Sequence, residues 1–187
     1  MDKLNALKAL EEEMIHDDTL PLRGANLVFG EGDINSKILF IGEAPGQKED
    51  ELKRPFVGRS GQLLNKMLSE IGLERENVYI TNIVKRRPPE NRDPLPSEID
   101  AYKPYLTRQI ELLNPTTIAT LGRFSMNYFL PDAKISHDQG KLFKVNGYFV
   151  YPLYHPAAAL RSTTMLEAFR DSFKRLPRAI KKCETVA

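Results

Sequence analysis

The sequence predicts an α/β fold, a parallel sheet covered by helices on both faces. Apolar runs rich in β-branched and aromatic residues occur at Ile38–Ile41, Val78–Val84, Thr116–Leu121 and Tyr148–Leu153, and read as buried strands. The segments between the first three runs carry 3.6-residue patterns, so strands alternate with helices. At 187 residues without repeats, low-complexity tracts or a Ser/Gly linker, the chain reads as one domain over residues 1–187.

The first eighteen residues are amphipathic but acidic, unlike a secretory signal or a transit peptide. Leu63, Leu64, Met67, Leu68 and Ile71 form one helical face that stops at Gly72. Ile99, Tyr102, Leu106, Ile110 and Leu113 form another, which ends before Asn114-Pro115 and should be disturbed near its start by Pro104. Asn146-Gly147 separates two strand-like runs between Lys141 and Val150, a hairpin signal. A last helix is expected from about Met165 to Lys181. No stretch is long enough to span a membrane, and a cytoplasmic protein is expected.

A formal charge of +2 does not announce a nucleic-acid binder; only its distribution could. Cys183 is the single cysteine, which argues against a disulfide framework, a thiolate metal site or an iron-sulfur cluster held by this chain alone.

In parallel α/β sheets, ligands bind beyond the carboxyl ends of the strands. The loop leaving the first run, GEAPGQKEDELKRPFVGRSGQLLN (42–65), has neither the Lys-Ser/Thr pair of a P-loop nor the three close glycines of a dinucleotide fingerprint. A turn-only role explains its glycines and prolines but not its acids. Glu43 follows a buried strand, with Glu49 and Asp50 in the same loop, where a carboxylate can be held partly desolvated as a base or electrostatic stabiliser. Phe56 reads as pocket wall or core, and Gly58, Arg59 and Ser60 open a helix whose N–H groups suit a phosphate. The second run ends at Asn82, whose amide can both donate and accept; the fourth ends at Tyr154-His155-Pro156.

Together GEAPGQKEDELKRPFVGRSGQLLN, VYITNIVKRRPPENRDPLP and YHPAAALR resemble the uracil-DNA glycosylase superfamily, specifically its family 4, in an ordered match from Val28 to Arg161. The resemblance implies a three-layer α/β/α sandwich around a four-stranded parallel sheet, and hydrolysis of the N-glycosidic bond of uracil in single- or double-stranded DNA. It implies Glu43, Glu49 and His155 as catalytic residues, with either glutamate able to serve the water. Ala44, Phe56, Asn82 and Asn91 would meet the base, Ala44 standing where sister families carry an aspartate. Gly58, Arg59, Ser60, Arg86, Arg87, Leu160 and Arg161 would meet DNA, Leu160 as a wedge filling the gap left by the flipped nucleotide. Basic residues crowd two loops, Lys85-Arg86-Arg87 with Arg92, and Lys53-Arg54 with Arg59. The rival expectations are a glycosylase for hypoxanthine, xanthine or mismatched thymine, and a DNA-binding module with weak or no catalysis.

Family 4 enzymes usually hold a four-iron four-sulfur cluster on four cysteines. The corresponding positions here fall at Arg86 and Tyr102 and near Ile15 and Asp18, so the expectation is a monomer without metal or cofactor. Pro88, Pro89, Pro94 and Pro96 would restrict the loop the cluster normally staples, and Tyr102 could bury its ring in the cluster's place.

Overall fold

A computed structural model describes residues 2–186. Four strands run parallel in the centre of the sheet: β2 (Ile38–Gly42), β3 (Tyr79–Asn82), β4 (Thr117–Leu121) and β6 (Tyr148–Leu153). Two short strands, β1 (Glu31–Gly32) and β5 (Phe143–Val145), pair antiparallel at the edges, giving the order β1-β3-β2-β4-β6-β5. The sheet therefore has six strands rather than the expected four; the parallel core is the part the apolar runs encode. β1 is two residues long and carries no periodicity. The Asn146-Gly147 turn joins β5 to β6 as expected, with both residues at positive φ.

Helices fill both faces, which makes three layers. On one face α3 (Arg59–Glu70), α7 (Pro156–Ala159) and α8 (Thr163–Val186) bury Leu64, Met67, Ala159, Phe169 and Phe173 against Phe40, Ile80, Ala119 and Leu153. On the other, α1 (Lys3–His16) and α4 (Pro96–Leu113) bury Leu10, Met14, Tyr102, Leu106 and Ile110 against Leu39, Ile41 and Ile118. Strand residues alternate between the two cores, so the central strands are buried almost throughout, their few polar residues included. Pro104 does not break α4: the helix begins with Pro96 at its first position and runs through Pro104 to a left-handed cap at Asn114. Between these lie α2 (Gln47–Leu52), α5 (Arg123–Phe129) and α6 (Ile135–Asp138).

β2 has β3 on one side and β4 on the other, so the chain leaves it in opposite directions. That is a topological switch point, where a crevice opens at the carboxyl edge. Register brings Gly42 beside Asn82 and Leu121 beside Leu153, so Glu43, Asn82, Gly122 and Tyr154-His155 emerge on one edge.

Candidate active site

A cavity of about 520 Å³ opens at this edge. Of the expected residues, Glu43, Ala44, Glu49, Phe56, Ser60, Asn82, Asn91, His155 and Arg161 line it.

Asn82 ends β3 and is 2% exposed, and its Oδ1 is buried without a hydrogen-bond partner. An unpaired buried acceptor costs about 1–3 kcal/mol unless a ligand donor completes it. Phe56 sits at φ 50°, the left-handed region that a bulky residue rarely occupies. Its ring centroid lies 5.8 Å from that of His155. Gly42 makes the arrangement possible: a Cβ there would collide with the Phe56 ring edge and lie 2.5 Å from Asn82 Oδ1. Gly61, in the first turn of α3, backs directly onto the Phe56 carbonyl and has no room for a side chain.

The strained backbone at Phe56 is held from behind. Arg75 Nη1 donates to the Phe56 carbonyl at 2.7 Å and its Nη2 to the Pro55 carbonyl, while Glu31 accepts from Arg75 at 2.9 Å and from Arg54 at 2.8 Å. Neither Glu31 nor Arg75 stands out in the sequence, because the clamp joins residues 44 apart.

The two glutamates do different work. Glu49 Oε1 accepts from Gly46 N–H at 3.3 Å and Oε2 from Gly58 N–H at 3.0 Å, which ties the starts of α2 and α3 together. Glu43 has no such backbone partners. Burial first, and then the Asp93 carboxylate, push its pKa up to about 7, against the opposing charge of Arg123. It is therefore the carboxyl poised to exchange a proton near neutral pH.

His155 caps α7. Its Nδ1 accepts the Ala157 N–H at 3.0 Å, so in the neutral ring Nε2 carries the proton and is a donor. Burial, reinforced by Arg161, lowers its pKa to about 4 and keeps it neutral.

The basic residues divide. Arg59, Leu160 and Arg161 are exposed, and of these only Arg161 lines the cavity; Gly58 is the N-cap of the twelve-residue α3, with Ser60 in its first turn. Arg86 corrects the DNA-contact expectation: it is 4% exposed, and its Nη1 donates to Tyr102 Oη at 3.0 Å. Lys85 is fully buried, with Nζ donating to Thr81 Oγ1 and to Gln109 Oε1 at 2.6 Å, and burial drives its pKa well down. Arg87 is half-buried and donates to Asn91 Oδ1 at 2.6 Å; Arg54 and Arg92 are tied to Glu31 and Glu98. Charge order in the sequence gave no sign of these partners.

Asp93, Arg123, Phe124, Tyr154 and Met165 also line the cavity and were not among the expected residues. The strand-end rule, applied to β4 as it was to the other strands, would have pointed to Gly122-Arg123.

Residues 29–179 match the family model described as the uracil DNA glycosylase superfamily. The chain belongs to the uracil-DNA glycosylase superfamily. It is 42% identical over 187 residues to the type-4 uracil-DNA glycosylase of Sulfurisphaera tokodaii, covering 92% of this chain and 84% of that protein. It is 46% identical over 165 residues to the type-4 uracil-DNA glycosylase of Saccharolobus solfataricus, covering 83% and 76%. That of Archaeoglobus fulgidus is 43% identical over 160 residues, covering 81% and 80%.

A four-thiolate cluster does not fit this superfamily member. Its one cysteine, Cys183, lies in α8, on the opposite face of the sheet from Tyr102. Where two ligands would be expected, Arg86 donates to Tyr102, whose hydroxyl donates to the Pro21 carbonyl at 2.8 Å. This chain of bonds joins the segment after α1 to the Pro-rich loop. Among the described residues no group of three or more His, Cys, Asp or Glu is placed to hold a metal ion, and no helix is long and apolar enough to cross a membrane.

Proposed function

We propose that this chain removes uracil from DNA by hydrolysing the bond between uracil N1 and deoxyribose C1′, leaving an abasic site for base-excision repair. The observation behind this reading is the orphaned Asn82 Oδ1 beside Phe56 and His155 in one cavity. Uracil offers N3–H to Oδ1 and O4 to the Asn82 amide, whereas cytosine reverses both and leaves a buried acceptor facing an acceptor. Phe56 supplies a ring on which the flipped base stacks, which offsets the few kcal/mol of unstacking.

As the C1′–N1 bond lengthens, its electron pair moves onto uracil, whose O2 gains negative charge while the sugar becomes cationic. His155 Nε2–H donates to that O2 as a neutral group. Glu43, once ionised, stabilises the cationic sugar and takes a proton from the water that bonds to C1′. Glu49 holds Gly46 and Gly58 in place and so shapes the pocket. Arg59, Ser60, Arg87 and Arg161 meet the DNA backbone, Asn91 approaches the base from the Pro-rich loop, and Leu160 fills the vacated stack. The protein works as a single-domain monomer in the cytoplasm without metal or cluster, on single- or double-stranded DNA.

The test is incubation with oligonucleotides carrying uracil, hypoxanthine, xanthine or mismatched thymine, followed by alkaline cleavage, for the native protein and Asn82→Ala. Cleavage at uracil that is lost in Asn82→Ala supports the reading. Cleavage only at another base changes the substrate, and binding without cleavage at any base replaces the enzyme with a DNA-binding module.

A further inference from the structure

Arg123 opens α5 one position past Gly122, where an added Cβ would lie 3.0 Å from His155 Cβ, so this arginine stands beside the base pocket. Its guanidinium lies over the Phe124 ring, 4.6 Å from the centroid, whereas the other cation-ring contacts among the described residues are at 5.6 to 5.8 Å. Phe124 is half-buried and packs against the core under α1 and α4, which fixes the ring. The cavity wall runs from Asn82 and Phe56 on to Arg123, Phe124 and Ile135, so cation and ring together form a shelf in it. The fold gains little from this arginine. Its side chain is 64% exposed and meets a carboxylate once, Nη2 to Asp93 Oδ2 at 3.4 Å, and so exposed a pair contributes little to stability. A cation in the first turn of a helix also opposes the helix dipole.

We propose that Arg123 and Phe124 form a stacking shelf for the base of an unpaired nucleotide next to the flipped uridine in single-stranded DNA. The inference rests on the reading of the cavity as a uracil pocket. A planar guanidinium held over an aromatic ring offers its outer face to a base, and such stacking accepts any base because every base has a π face. Nη2, at the guanidinium edge, faces Asp93, so the edge that would grip a phosphate through two N–H groups is partly taken, and the Asp93 carboxylate repels a phosphodiester. The same carboxylate can accept from the exocyclic amino group of adenine, guanine or cytosine. In a duplex the neighbouring base stays paired and stacked, so the shelf serves single strands.

Arg92, also in the cavity wall, differs on each count. Both its Nη atoms donate to Glu98, at 2.9 and 2.6 Å, which fixes its orientation and commits it to the start of α4.

The test is a binding cycle on single-stranded oligonucleotides whose uridine carries a 2′-fluorine, which disfavours the cationic sugar and so blocks release. Affinity is measured by fluorescence anisotropy for the intact strand and for strands in which the nucleotide on the 5′ or the 3′ side of the uridine is a baseless spacer that keeps its phosphates. In the native protein one of the two spacers is expected to weaken binding by about fivefold or more relative to its effect in Arg123→Ala, the scale of one stacked base. Arg123→Lys keeps the cation without the planar face, and is expected to lose the spacer effect as Arg123→Ala does. Spacer effects equal in native protein and Arg123→Ala, or retained in full by Arg123→Lys, overturn the proposal. Weakening of all three strands to the same extent in Arg123→Ala makes the residue a phosphate contact and overturns it too. Uracil release from the ordinary uracil oligonucleotide is measured in parallel. Its absence defeats the functional reading, while the binding cycle, which needs no turnover, still decides for or against the shelf.

Discussion

His155 Nδ1 receives the Ala157 N–H at 3.0 Å, which commits the ring to a single neutral tautomer with its proton on Nε2. Gly122, at φ 93°, leaves room for the ring: a Cβ there would lie 3.0 Å from His155 Cβ. A neutral donor stabilises a developing oxyanion without first being deprotonated. His155→Ala is expected to slow single-turnover uracil release by about 10²–10³-fold, the range for losing one such donor. Proton NMR of the His155 ring is expected to show titration near 4 and no change through neutral pH.

Glu43 and His155 drive stability in opposite directions with pH. For His155 the folded pKa of about 4 lies below the ordinary 6.5, so its contribution is complete above pH 6.5 and is lost as pH falls toward 4. For Glu43 the folded value of about 7 lies above the ordinary 4.5, so its contribution is complete below pH 4.5 and is lost as pH rises through 7. Glu43→Gln removes the second dependence. Relative to the native protein, the variant is expected to gain up to about 3 kcal/mol between pH 4.5 and pH 7.5, measured by urea unfolding at each pH.

Gly42→Ala places a methyl group between Phe56 and Asn82. Because β2 is central, the strand itself cannot move away, and the two side chains must shift. Uracil release is expected to fall about 10²-fold from displacement of the base pocket. Steady-state kinetics on a uracil oligonucleotide, with the melting temperature alongside, separates this from simple loss of fold.

Arg75→Leu leaves the Pro55 and Phe56 carbonyls and Glu31 without their shared partner. With the Arg75 side chain only 11% exposed, stability is expected to fall by about 3 kcal/mol, read from the urea midpoint. The left-handed Phe56 loses its restraint, so affinity for uracil-containing DNA is expected to weaken as well.

How much of this was legible in the sequence depended on whether a residue's role follows from its neighbours in the chain. Glu43, Asn82 and His155 each follow a buried apolar run, and parallel strands bring such ends to one edge, so their convergence could be inferred. Glu49 and Glu43 could not be told apart, because the Gly58 amide that occupies Glu49 lies nine residues on, at the cap of a different helix. Arg86 and Lys85 looked like surface charge in a basic loop. Their burial depends on Tyr102 and Gln109, which come from α4, 16 and 24 residues away. Pro104 was expected to disturb α4, yet tertiary packing of Tyr102, Leu106 and Ile110 carries the helix through it.

The most direct measurement is single-turnover release of free uracil from a uracil-containing oligonucleotide by purified protein without visible iron-sulfur absorbance, comparing native with Glu43→Gln and Glu49→Gln. Native protein is expected to release uracil and leave an alkali-labile site. Glu43→Gln should be slower by about 10²-fold or more while keeping its fold, the scale of a lost general base. Glu49→Gln should lose stability along with part of its rate. Absence of uracil release by that native protein, or full activity in Glu43→Gln, would contradict the account.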